Sequence, residues 1–138
     1  MILNNKNYEV YNRFIPDKEV SYFFQRAKVV VLPYIEGTQT GIIPIAYAFK
    51  KPVVVTDVGD IPDVVDDGKT GFIVPPKDSK ALADSILKLL KDDKLRKEMG
   101  ENAYIKMKKE LSWNKITEKT IEVYKNILYS KDNKYKND

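Results

Sequence analysis

Residues 28–57 read KVVVLPYIEGTQTGIIPIAYAFKKPVVVTD, and the order of elements in this run sets the architecture. "KVVVLPY" (28–34) is a short β-branched run ended by Pro33. Apolar residues without alternation mark a strand buried on both faces, as in a parallel sheet. "GIIPIAYAFK" (41–50) reads as a short buried helix, with Pro44 tolerated in a first turn that needs no amide there. "KPVVVTD" (51–57) is a second buried strand. Strand, helix and strand in succession argue an α/β protein with parallel pairing.

Outward from this unit the same alternation continues. On the N-terminal side, "YEVYNRF" (8–14) is a strand candidate rich in aromatics and valine. Asp17 then stands as an N-cap for "KEVSYFFQRA", whose Val20, Phe23, Phe24 and Ala27 recur at helical spacing. On the C-terminal side, "DIPDVVDDG" (60–68) gives one or two helical turns ended by Gly68. "TGFIVP" (70–75) is a third short strand. Asp78 caps "SKALADSILKLLK", which places Leu82, Ile86, Leu89 and Leu90 on one face. Two more helices are expected over roughly 93–110 and 112–129. The expected fold is therefore a partial Rossmann-like parallel sheet of about four strands followed by C-terminal helices. It occupies residues 1–130, with a polar tail at 131–138. Doubly wound nucleotide domains usually have about five or six strands, so the sheet is expected to be incomplete.

Composition narrows the chemistry. The 138 residues suit one domain with a real core. There is no cysteine and no histidine. Disulfides, thiolate nucleophiles, the Ser-His-Asp triad and most zinc sites are thereby excluded. No apolar run approaches the roughly 20 residues that span a bilayer. The N-terminus lacks a basic-then-apolar signal pattern, and a reducing cytoplasm is the expected location. The net charge of +4 is uneven: from Lys77 onward 16 basic residues face 11 acidic ones. The plain reading is solvated helix faces; the sharper one is contact with a membrane surface or another polyanion. No nucleic-acid motif accompanies the lysines, and nucleic acid is not an expected partner.

Ligands of open parallel sheets bind outside the carboxyl ends of the strands. "PYIEGTQTG" and "TDVGDIP" occupy two such ends. Gly41, Ile42 and Ile43 begin a helix, where free amides and the positive dipole end suit a phosphate. Thr38 and Thr40 add hydroxyls, and Glu36 is an acceptor suited to sugar hydroxyls. The alternative is an ordinary loop with Thr40 as N-cap. Hydroxyl recognition beside diphosphate recognition is what a sugar-nucleotide donor requires.

The run from "FIPDKEV" through "DVGDIPDVVDDGKTGFIVPPKD" to "LSWNKI" resembles the retaining, GT-B-fold glycosyltransferases of the group 1 family, glycosyltransferase family 4. The likeness is to the second half of their C-terminal, donor-binding domain, over about residues 8–128. It rests on Pro33, Glu36, Gly41, Ala46, Ala48, Lys51-Pro52-Val53-Val54 and Ser112-Trp113 together. The resemblance implies that Glu36 faces the donor sugar and that the amides of Gly41, Ile42 and Ile43 hold the donor diphosphate. It implies a nucleotide-sugar substrate, no metal or other cofactor, and transfer with retained anomeric configuration.

Three departures accompany the likeness. Where the family has a second glutamate, this chain has Pro44 or Ile45, depending on how the turn is aligned. The family's "VGG" is "VGD", with Asp60 near the proposed crevice and an N-cap role as its plain reading. The acceptor domain and the early donor-domain strands have no counterpart, so the expected partner is a missing N-terminal domain or another chain. Little catalysis is expected from this chain alone, and self-association through uncovered surface is expected. The alternatives are a non-catalytic interaction module on the same fold, and a cation site among Asp57, Asp60, Asp63, Asp66 and Asp67.

Overall fold

The computed structural model describes residues 7–132. Three parallel strands form the sheet in the order β1 (Val30–Leu32), β2 (Val53–Thr56), β3 (Gly71–Val74). The register pairs Val31 with Val54 and Val54 with Phe72. β2 lies in the middle and is buried along its whole length, which is why it reads as unbroken valine. Successive side chains leave it on opposite faces. Val53 and Val55 join Leu32, Ile43, Tyr47 and Ile61 in one core cluster, while Val54 joins Val74, Leu89 and Met99 in the other.

The helices cover both faces. α1 (Asp17–Arg26) precedes β1, α2 (Ile42–Ala48) joins β1 to β2, and α3 (Ile61–Val64) leads towards β3. α4 (Ser79–Lys91) starts on the Asp78 carboxylate, which accepts from the Ala81 amide at 2.9 Å. α5 (Asp93–Lys106) starts in the same way on Asp92, through the Leu95 amide at 2.9 Å. A π-helical turn, Met107–Leu111, separates α5 from α6 (Trp113–Asp132). Ser112 holds the start of α6, with its carbonyl accepting from the Ile116 amide at 3.0 Å.

Four expectations are corrected. Residues 8–14 form no strand, so the described sheet has three strands rather than four. This segment is fixed to α1 by side chains instead. Arg13 pairs with Glu19 at 2.6 Å, and Tyr11 meets Phe23 edge-on at 4.8 Å. β-propensity needs a ladder partner to be expressed, and here none is supplied. Pro16, not Asp17, is the N-cap of α1; Asp17 is the first helical residue, where its charge still complements the dipole. On α4, Leu82, Ile86 and Leu89 pack inward, but Leu90 remains 43% exposed because it turns past the edge of that stripe. Finally, α6 continues to Asp132, past the helix end expected near 129; positions 133–138 of the expected polar tail lie outside the described residues.

Candidate functional site

The carboxyl ends of β1 and β2 release two loops, 33–41 and 57–60, and the structure clasps them together. The first is held at its root by Thr56, whose hydroxyl donates to the Tyr34 carbonyl at 2.6 Å. Further out, the Asp60 amide donates to the Thr38 carbonyl at 2.8 Å. Gly59 makes this approach possible. Its φ is +53°, and a Cβ there would stand 2.1 Å from the Gly37 carbonyl oxygen. Only a residue without a side chain fits in that conformation against that backbone.

The residues expected from sequence come together along this clasp. Glu36 is exposed on the outer turn. Thr38 is also exposed and serves the clasp through its backbone. Thr40 is half-buried; its hydroxyl accepts from the Ile42 amide at 3.2 Å and lies 3.5 Å from the Tyr34 hydroxyl. Thr40 is therefore not the N-cap of α2, but its hydroxyl occupies the Ile42 amide, which was expected to be free. Gly41 stands at the N-cap position. Ile43 drives its side chain into the core at 1% exposure, which fixes its own amide in the first turn. α2 has seven residues, so its dipole is short.

Two cavities flank these loops. One of about 170 Å³ is lined by Gln39, Thr40, Ile43, Pro44, Asp60, Ile61, Val64 and Leu111. The other, about 160 Å³, lies on the α4 side between Pro33, Ile35, Thr56, Pro75, Lys77, Asp78, Ser79 and Leu82. Gln39 and Lys77 are the side chains that sequence reading missed. Gln39 Nε2 lies 3.4 Å from Asp60 Oδ2, a meeting across 21 positions that no local pattern signals. Asp60 occupies the N-cap position of α3, but its side chain makes no capping bond. The five aspartates between Asp57 and Asp67 do not assemble. Among the described residues no three acidic groups gather closely enough to hold a cation. Asp66 instead pairs with Lys106 at 2.6 Å, and Asp67 accepts from the Ile73 amide at 2.9 Å.

Beneath the site, the Tyr47 hydroxyl lies 2.8 Å from Thr70 Oγ1, and burial pushes its phenol up to about 12. At the opposite end of the sheet, a concavity of about 270 Å³ is ringed by Arg26, Lys28, Lys50, Lys51, Arg96 and Lys97. Much of that charge serves the fold. Lys51 Nζ donates to the Gln25 carbonyl at 3.1 Å, Arg96 donates to the Leu89 carbonyl at 3.0 Å, and Lys50 pairs with Glu101 at 2.8 Å. The first two contacts fall on the C-terminal ends of α1 and α4, where cations are favoured.

Residues 3–106 match the family described as glycosyl transferases group 1. The chain belongs to that family. This glycosyltransferase-family chain is 33% identical over 116 residues to the O-antigen chain mannosyltransferase B of Escherichia coli, covering 83% of itself and 29% of that protein. It superposes on the sucrose-phosphate synthase of Thermosynechococcus elongatus with a TM-score of 0.76 at 25% identity, over 84% of this chain and 29% of the other. It superposes also on a TarM variant of S. aureus solved with fondaparinux, alpha-GlcNAc-glycerol and UDP. There the TM-score is 0.67 at 26% identity, over 77% and 22% of the two chains. The three-strand unit is thus part of a GT-B domain, and the chain spans less than a third of the length of these relatives. No helix among the described residues is long and apolar enough to cross a membrane.

Proposed function

We propose that this chain is the donor-binding portion of a retaining glycosyltransferase that uses a nucleoside-diphosphate sugar in the cytoplasm. Glu36 accepts hydrogen bonds from hydroxyls of the donor sugar. Thr38, Thr40 and the amides of Gly41, Ile42 and Ile43 bind the diphosphate, with Thr40 yielding the Ile42 amide when the ligand arrives. No metal takes part. Transfer requires an acceptor-binding domain from elsewhere. The acceptor hydroxyl attacks the anomeric carbon on the face that the diphosphate leaves, and the departing phosphate oxygen takes its proton. The protein's share is the fixed positive potential of the amides at that phosphate.

The observation that carries this reading is the clasp of the Glu36 loop onto Gly59 at the carboxyl ends of β1 and β2, in a chain of the group 1 family. A TarM variant of S. aureus, related at 26% identity, was solved with UDP, which supports a nucleotide ligand. Isothermal titration of the chain with UDP-glucose, GDP-mannose and ADP-glucose tests it. One of the three is expected to bind, and Glu36→Ala should weaken the sugar nucleotide about tenfold while sparing the sugar-free diphosphate. No binding to any of them would sink the proposal.

A further inference from the structure

The cavity of about 170 Å³ between the clasped loops has an aliphatic wall of Ile43, Pro44, Val64 and Leu111 and a polar side made by Gln39, Thr40 and Asp60. Asp60 is the unusual member. An aspartate at a helix N-cap ordinarily spends its carboxylate on the first-turn amides. Here it does not. Its position is set by its backbone, whose amide holds the Thr38 carbonyl at 2.8 Å. Its Oδ2 lies 3.4 Å from Gln39 Nε2, longer than the roughly 2.7–2.9 Å of a strong charge-assisted bond. Asp60 is exposed, so the fold anchors the residue and leaves the carboxylate to solvent. Thr40, by contrast, accepts from the Ile42 amide at 3.2 Å.

A carboxylate accepts, and a carboxamide both donates and accepts. Side by side and facing an aliphatic wall, the pair fits a ring with hydroxyls on its edge and C–H bonds on its face. A phosphate lodged beside the carboxylate, rather than over the amides of Gly41 to Ile43, would be repelled by it. A cation would find Asp60 as the one acidic side chain in the lining, and no group of three such ligands forms among the described residues. We infer that Asp60 and Gln39 form a hydroxyl-binding subsite, separate from Glu36, that takes one sugar ring of the substrate pair. This rests on the donor reading above and adds a specificity-determining pair to it.

The test uses Asp60→Asn, which keeps the shape and removes the charge, and Gln39→Ala. Circular dichroism checks folding, and Gln39→Ala carries the test if Asp60→Asn does not fold. Each variant is titrated with the sugar nucleotide that the unaltered chain binds, with the matching sugar-free diphosphate, and with methyl α-D-glucopyranoside and methyl α-D-mannopyranoside. About tenfold weaker sugar-nucleotide binding with unchanged diphosphate binding is expected if the ring is the donor's. The same loss confined to a methyl glycoside assigns the subsite to an acceptor ring and equally supports it. Equal changes for sugar nucleotide and diphosphate would mean that Asp60 acts only as a charge near the phosphates, and overturn the inference. So would unchanged binding throughout. If the unaltered chain binds no sugar nucleotide, the donor reading itself fails and this inference falls with it; failure in the variants alone leaves the donor reading standing.

Discussion

Gly59 concentrates two constraints in one residue. Its φ of +53° costs an alanine about 1–2 kcal/mol. A Cβ also falls 2.1 Å from the Gly37 oxygen and 2.8 Å from the Thr38 Cα, and both of those are backbone atoms that cannot swing aside. Gly59→Ala is therefore expected to destabilise the chain by about 2–5 kcal/mol in urea unfolding, a strain term added to an overpacking term. Gly41→Ala is the matched control: its φ is −74° and nothing lies within 4 Å of the added carbon, so it should be nearly neutral. Tyr47 gives a pH signature at the same scale. In the unfolded chain its phenol ionises near 10, whereas in the fold it holds its proton to about 12. Between these values the unfolded state binds fewer protons, so stability falls as pH rises through that window and is unaffected below it. Tyr47→Phe should cost about 0.5–1.5 kcal/mol at pH 8, the worth of the Thr70 hydrogen bond. Thr70 keeps its contacts to Asp66, which limits the loss. At pH 11 the gap between the two proteins should narrow in the same unfolding measurement.

At the scale of elements, the close contact of α5 with the α2–β2 connection decides a substitution whose sign local rules get wrong. Gly100 lies inside α5, where alanine is usually better by about 1 kcal/mol. Here a Cβ would stand 2.2 Å from the Lys50 carbonyl oxygen. Overpacking of about 1–3 kcal/mol outweighs the helix gain, so Gly100→Ala should lower the thermal midpoint rather than raise it. The same contrast separates what the sequence reveals from what it hides. β2 is legible because burial on both faces leaves a run of valines, β1 and β3 because short apolar runs without alternation are ended by Pro33 and Pro75, and α4 because Asp78 sits one residue before a helix that carries an apolar stripe. Residues 8–14 also carry a β signal, yet a strand exists only where another strand pairs with it. The Glu36–Ile43 stretch is visible as a loop entering a helix. The Gln39–Asp60 meeting is not, because it depends on Gly59 letting two distant backbones touch. Leu90 fails for a smaller reason: the helix buries a narrower stripe than the sequence offers.

At the scale of the whole molecule, α6 is the unresolved energetic problem. Every residue from Trp113 to Leu128 is exposed. Trp113 is 82% exposed, and Ile116, Val123, Tyr124 and Leu128 lie open at spacings that put them on neighbouring faces of the helix. Helices in proteins draw most of their stability from packing an apolar face rather than from propensity, and a contiguous exposed apolar surface of this kind marks an interaction site. The outer edge of β1 is a second open surface, since β1 pairs only with β2 among the described strands. The chain on its own is therefore expected to self-associate, with a mass in multi-angle light scattering above the 15.9 kDa of one copy. The two surfaces make different forecasts. If α6 drives association, the double change Ile116→Lys and Tyr124→Lys should return a monomer, whereas Val30→Lys at the strand edge should not. Salt gives a further discrimination. The net charge of +4 opposes association, so raising ionic strength should tighten an apolar contact rather than dissolve it. A monodisperse monomer across the concentration series, at low and high salt alike, would show that α6 stands alone in solution.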